Sequence, residues 1–172
     1  MKILGMEVPD EVADAIVAKA KTEELFKEYL EKMKREWRFL ETNKYVRREI
    51  EFRKENHPGC KIIFKIKYDA DGYFEIGSSG RPDDNGVMTI IIAYDASCSL
   101  RKIHDKLFDH IKKTYQIDFA EYFPTLYLEG YIIDIKCKTS QHLNDLIADI
   151  KERIPEVTAK RMKGDVIRIQ ME

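Results

Sequence analysis

"ENHPGCKIIFKIKY", residues 55–68, is where the chain changes period, and the fold turns on it. Ahead of it apolar residues recur every three or four positions; within it they alternate. Pro58 and Gly59 separate the two regimes, because proline lacks the amide a further helical turn needs and glycine accepts conformations that end a helix. Beyond the stop, Ile62, Phe64, Ile66 and Tyr68 fall on one side of a strand, and Lys61, Lys65 and Lys67 on the other.

Towards the N-terminus, Pro9 suits the first turn of a helix whose opening acids, Asp10, Glu11 and Asp14, complement the helix dipole. Leu25, Phe26, Tyr29, Leu30, Met33, Trp37 and Leu40 then form one apolar stripe. "ETNK" (41–44) interrupts it, and a second helical piece with Tyr45, Val46, Glu49, Ile50 and Phe52 leads to the stop. In the other direction, "DADG" (69–72) reads as a hairpin turn into "YFEIG", and "SSGRPDDNG" (78–86) as a polar loop. "VMTIIIAY" (87–94), apolar on both faces, reads as a central, covered strand. Residues 99–115 form a helix that Ser97 or Ser99 can cap, with Leu100, Ile103, Leu107 and Ile111 inward. A strand (125–138), a helix (140–154) and a strand or hairpin (157–171) follow. The order ααβββαβαβ predicts an α+β protein: a helical N-terminal arm, residues 1–56, then an α+β domain, residues 57–172, with a mixed β-sheet and two packed helices. The closing β-α-β unit is expected to cross over right-handedly if its strands are parallel.

Over 172 residues, 44% apolar and 35% charged side chains describe an ordered globular chain. No apolar run is long enough for a membrane span, and "MKILGMEVPDEVADAIV" lacks the marks of a signal peptide, so the expectation is a cytoplasmic protein. Cys60, Cys98 and Cys137 make no CxxC pair; they fit a reducing compartment rather than a disulfide framework or zinc site. The net charge of −1 conceals a polarity: residues 19–67 carry fifteen basic and nine acidic groups, net +6, and residues 68–99 carry one and six, net −5.

Catalytic patterns are sparse. There is no glycine-rich phosphate loop, HExxH or GxSxG, and no cofactor or metal is expected. His104 and His110 lie about 240° apart around a helix, too far to share an ion. His110 falls on the apolar stripe and reads as a packed core histidine, while Arg101, Asp105, Asp109 and Lys113 form an i, i+4 ladder of charges of both signs on a wet face. Pro82-Asp83 with Asp134-Ile135-Lys136 resembles the metal site of PD-(D/E)xK nucleases, which makes a metal-dependent nuclease a third functional reading. Alternation of Asp and Lys on a solvated strand face accounts for the same residues.

The strongest binding signal is "EKMKREWRFLETNKYVRREIEFRK" (31–54), nine basic and five acidic groups around the one tryptophan. Glu31–Arg35, Lys32–Glu36, Arg47–Glu51 and Glu49–Arg53 are helix-stabilising opposite pairs. Lys34–Arg38 and Lys44–Arg48 are like-charge pairs with no acid four residues away, and an anionic ligand would relieve them. With Lys61, Lys65 and Lys67 they could join into a continuous basic surface. The candidate contacts to a nucleic acid or nucleoprotein are therefore Lys34, Arg35, Trp37, Arg38, Lys44, Arg47, Arg48, Lys61, Lys65 and Lys67. Trp37 belongs to the apolar stripe, so core packing competes with base stacking there. An alternative is that the stripe docks on a second copy of the chain, giving a homodimer.

Two likenesses add to this. The segment "VMTIIIAYDASCSLRKIHDKLFDHIKKTYQIDFAEYF…GYIIDIKCK", within residues 87–138, resembles the latter half of small phage-encoded anti-CRISPR inhibitors of RNA-guided nucleases. It covers under a third of the chain and rests on strand–helix–strand order and a closing "DIKC". It implies a non-enzymatic inhibitor, from a phage or mobile element, that binds an effector or its guide RNA; no binding residue transfers. The helix, three strands and "SLRK" helix are also similar in layout to a double-stranded-RNA-binding domain, with Arg101, Lys102 and Lys106 at the phosphate positions. The glycine–lysine cluster of that domain is absent.

Overall fold

The structure, a computed structural model, describes residues 2–3, 5–7, 9–70, 75–78, 80–95, 99–120, 124–139 and 141–171. Helix α1 (Asp10–Thr42) runs unbroken for 33 residues. It continues through Thr22, whose hydroxyl donates to the Ala18 carbonyl at 3.0 Å and so stays inside the helix. The break falls at Asn43, within "ETNK". The Asn43 carboxamide oxygen accepts from the amides of Tyr45 and Val46 at 3.0 and 3.2 Å and starts α2 (Lys44–Asn56). Helix α2 ends before Pro58, with Gly59 at φ +82° turning the chain into the sheet.

A small hairpin, β1 (Lys2–Ile3) with β2 (Met6–Glu7), precedes the helices. The main sheet contains β3 (Lys61–Ala70), β4 (Glu75–Ser78), β5 (Val87–Asp95), β6 (Thr125–Tyr127), β7 (Ile132–Lys136), β8 (Val157–Met162) and β9 (Val166–Met171). Helix α3 (Ser99–Tyr115) follows β5, and α4 (Leu143–Arg153) follows β7. The strands stand in the order β4-β5-β3-β6-β7-β9-β8, and only β3 and β5 are parallel neighbours. The architecture is α+β with a mixed sheet.

Three details depart from expectation, and a fourth, the parallel run of β7 and β8, meets the condition set for a crossover. Strands β3 and β4 are not a hydrogen-bonded hairpin, because β5 lies between them and pairs with both. Residues 71–72 of "DADG" lie outside the described residues, as do Ser97 and Cys98. Residues 125–138 form a hairpin, β6–β7, rather than one strand: Gly130 and Tyr131 take positive φ of 73° and 50°, which reverses the chain. Strands β7 and β8 run parallel, but β9 separates them. Strand β5 has neighbours on both edges but is covered unevenly: Met88, Ile90 and Ile92 are buried on one face, whereas on the other Thr89 and Ile91 are half-buried and Ala93 is buried.

One face of the sheet, carrying Phe64, Ile66, Leu126, Ile133, Ile169 and Ala159, meets the helices in a single buried cluster. Leu25, Phe26, Tyr29, Met33, Trp37 and Leu40 of α1 belong to that cluster, as do Val46 and Ile50 of α2. Helix α1 packs chiefly along α3, whose Leu100, Ile103, Leu107 and Ile111 point inward. The N-terminal helices therefore share the core of residues 57–172 instead of standing apart as an arm. About 25 cal/mol per Å² of buried apolar surface gives them a strong reason to do so.

Candidate nucleic-acid interface

The stripe of α1 is consumed by folding, and Trp37 with it. Trp37 is 2% exposed; its indole N–H donates to the Tyr127 carbonyl at 3.2 Å and its ring meets Tyr131 edge-on at 5.6 Å. It is a core anchor between α1 and the β6–β7 hairpin, not an exposed stacking platform. The same burial withdraws the Leu25–Leu40 stripe of α1 from docking on a second copy, while Val12, Ile16 and Val17 near the start of the helix stay exposed.

The basic side chains are distributed over three places. On the outer surface of α1 and α2, Lys34, Arg35, Arg38, Lys44, Arg47 and Arg48 are exposed. Among the described residues, none of Lys34, Arg35, Arg38, Arg47 and Arg48 has a carboxylate within 4 Å. Of the four opposite pairs read from the sequence, Glu49–Arg53 is formed, at 3.5 Å. Lys34 and Arg38 rim a depression of about 230 Å³ over Trp37, which Glu41, Tyr131 and Met171 complete. A hydrogen bond to Glu41 raises the pKa of the Tyr131 hydroxyl, so it stays protonated and donates to that carboxylate.

The second place is the mouth of a cleft of about 670 Å³ at the end of the sheet. It borders the β3–β6 pairing, which among the described residues comprises Phe64–Leu126 and Lys65–Thr125. Lys54, Lys61 and Arg168 stand on its walls with Asp83, Glu129 and an apolar floor that includes Ile50, Ile63 and Ile132. The third is the open face of the sheet, where Lys65 and Lys67 alternate with the buried Phe64 and Ile66. Because α1 and α2 cover the opposite face, Lys65 and Lys67 do not continue the helical cations; the single basic surface read from the sequence is divided by the thickness of the sheet.

The two acids of the nuclease pattern are already occupied. Asp134 receives Arg168 Nε at 2.8 Å, Arg168 Nη2 at 2.9 Å and the Tyr127 hydroxyl at 3.0 Å. The guanidinium also lies over the Tyr127 ring, 5.4 Å from its centroid, and its hydrogen bonds to Asp134 raise its own pKa further. Asp83 Oδ1 accepts the amides of Asn85 and Val87, both at 2.9 Å, and thereby shapes the turn into β5. Among the described residues no group of three or more His, Cys, Asp or Glu is placed to hold a metal ion.

Of the two histidines of α3, His104 is the fully buried one, against Phe108 and Tyr29. His110 is half-buried and makes a 2.7 Å hydrogen bond between Nε2 and the Thr22 hydroxyl, tying α3 to α1. On the wet face, Arg101 and Asp105 pair at 3.5 Å as the ladder predicts. Cys60 and Cys137 are free thiols. Among the described residues no helix is long and apolar enough to cross a membrane.

Two exposed rings escaped the sequence reading. Tyr45 and Phe52 of α2, grouped there with the helix's apolar residues, are 54% and 59% exposed, while Arg53 is 7% exposed. A helical projection, about 100° per residue, would have found them, since Val46, Ile50 and Arg53 occupy a different arc. Comparison of the chain with protein-family models, curated proteins and solved structures finds no match.

Proposed function

We propose that this chain is a non-enzymatic binding protein that contacts a nucleic acid or nucleoprotein through the outer surface of α1 and α2. The supporting observation is the set of exposed cations there, Lys34, Arg35, Arg38, Arg47 and Arg48, with no carboxylate partner within 4 Å among the described residues. Cations without partners keep their full attraction for phosphate, and releasing counterions from the nucleic acid drives such contacts. Phosphate contacts give affinity with little sequence preference, which suits a protein that blocks a nucleoprotein instead of reading a site. The resemblance of residues 87–138 supplies the particular form of the proposal, inhibition of an RNA-guided nuclease of the CRISPR type by a phage or mobile-element protein.

The test measures binding to duplex DNA, guide-like RNA and a loaded RNA-guided effector at several salt concentrations. The logarithm of the binding constant is expected to fall linearly with log salt. Replacing two phosphate contacts, as in Lys34→Ala/Arg38→Ala, should shallow the slope on duplex by about 1.8. Absence of salt-sensitive association with all three would remove the proposal.

A further inference from the structure

Helix α2 exposes a phenylalanine and buries an arginine. Phe52 is 59% exposed, whereas Arg53 is 7% exposed and paired with Glu49 at 3.5 Å. The hydrophobic effect acting on the folded chain alone would choose the reverse, since burying a large apolar side chain is favourable and burying a charge is costly. Tyr45, seven residues earlier and 54% exposed, shares the face of Phe52, and Arg48 stands between them. At about 100° per residue the three fall within an arc of about 60°, with the rings about 10 Å apart along the axis. Lys44 Nζ lies 5.2 Å from the centroid of the Tyr45 ring, adding a second cation beside the aromatic pair.

Two exposed rings interleaved with cations complement a ligand that presents flat aromatic groups and negative charge together. Bases stacked inside a duplex cannot offer their faces; unpaired bases can, and their backbone carries the phosphates. We infer that the Tyr45–Arg48–Phe52 face of α2 is a docking site for single-stranded nucleic acid, in which unpaired bases stack on Tyr45 and Phe52 while Lys44 and Arg48 take phosphates. Glu51 and Glu55 border this face, and Arg48 forms no ion pair within 4 Å with either. The inference rests on reading the α1–α2 surface as anion-binding and names the anion.

The experiment titrates the full chain with a fluorescent oligothymidylate of about twenty nucleotides, a duplex of equal length, and heparin, which is polyanionic but has no bases. The single strand is expected to bind at least about tenfold more tightly than the duplex. Tyr45→Ala/Phe52→Ala should abolish that preference and leave heparin binding within about twofold, while Tyr45→Phe/Phe52→Tyr should restore it. Both positions are exposed, and an unchanged Trp37 emission spectrum verifies that each variant is folded. Equal binding of single strand and duplex would overturn the inference while leaving the basic-surface proposal standing; no binding to any of the three overturns the inference, and the basic-surface proposal falls too only if a loaded effector also fails to bind. A wild-type dimer that becomes monomeric in Tyr45→Ala/Phe52→Ala would overturn it as well, by assigning the face to a second copy of the chain.

Discussion

His104 should make the protein acid-sensitive by a calculable amount. Its side chain is completely buried, its ring 3.8 Å from that of Phe108 and 6.2 Å from that of Tyr29, centroid to centroid. Burial, reinforced by the Arg101 charge, pushes its pKa from 6.5 down to about 3. Asp105 approaches Nδ1 only to 4.0 Å and lies 3.5 Å from Arg101, so desolvation outweighs its pull. The unfolded chain takes up this proton near pH 6.5 and the folded chain only near pH 3. Between those values the unfolded state binds more protons; stability is therefore full above 6.5 and is lost as pH falls towards 3. With those two pKa values, linkage gives a loss of about 2 kcal/mol between about pH 7.5 and about pH 5 from this residue alone. The assay is urea unfolding of wild type and His104→Leu at both pH values, followed by Trp37 fluorescence. Other titrating groups, including the down-shifted His110, are common to both proteins and cancel in the difference. Wild type should lose about 2 kcal/mol more than the variant on acidification. Equal losses would show that His104 is not held neutral by the core, and the reasoning would fail.

Other expectations follow from single contacts. Trp37→Phe keeps most of the buried ring but removes the bond to the Tyr127 carbonyl; chemical unfolding should register a loss of about 1–2 kcal/mol, combining the bond with the smaller ring. Asn43→Ala deletes the cap of α2 and should cost about 1 kcal/mol by thermal unfolding, with Asn43→Asp close to wild type. Arg168→Ala leaves Asp134 half-buried with one remaining partner, Tyr127; a loss of about 1–2 kcal/mol is expected, and the double variant Arg168→Ala/Asp134→Ala should lose less than the two single variants added together.

How far the chain could be read in advance depended on whether the information was local. The apolar stripe of α1, the break at Asn43 and the stop at Pro58 are written in neighbouring residues, and each was legible. Strand neighbours were not. "DADG" carries the local signature of a hairpin, but the partner of β3 on that side is β5, a choice made by burying Ile90 and Ile92 against the helices. The β6–β7 turn at Gly130–Tyr131 was hidden because β-prone residues on both sides read as one strand. At the candidate interface the charges were legible, and spacing argued the unpaired state of Lys34, Arg38 and Arg48, but it paired Arg35 with Glu31 and Arg47 with Glu51, contacts that the structure does not make among the described residues. That Lys65 and Lys67 face the other side of the sheet could not, because it depends on which face the helices choose. Trp37 illustrates the limit most directly: its place on the stripe favoured the core, and only the packing of the β6–β7 hairpin decided it.

At each end of the sheet a strand made later in the chain occupies the slot between two made earlier: β5 between β3 and β4, β9 between β7 and β8. A ribosome delivers the outer members of each trio before the middle one, so for a time the nascent polypeptide holds two ladder edges with nothing to bond. Stalling or proteolysis at that moment would release a product with sticky, unsatisfied margins. A chain truncated before β5 or before β9 is therefore expected to aggregate more than one truncated just after it, which light scattering of the released products would check.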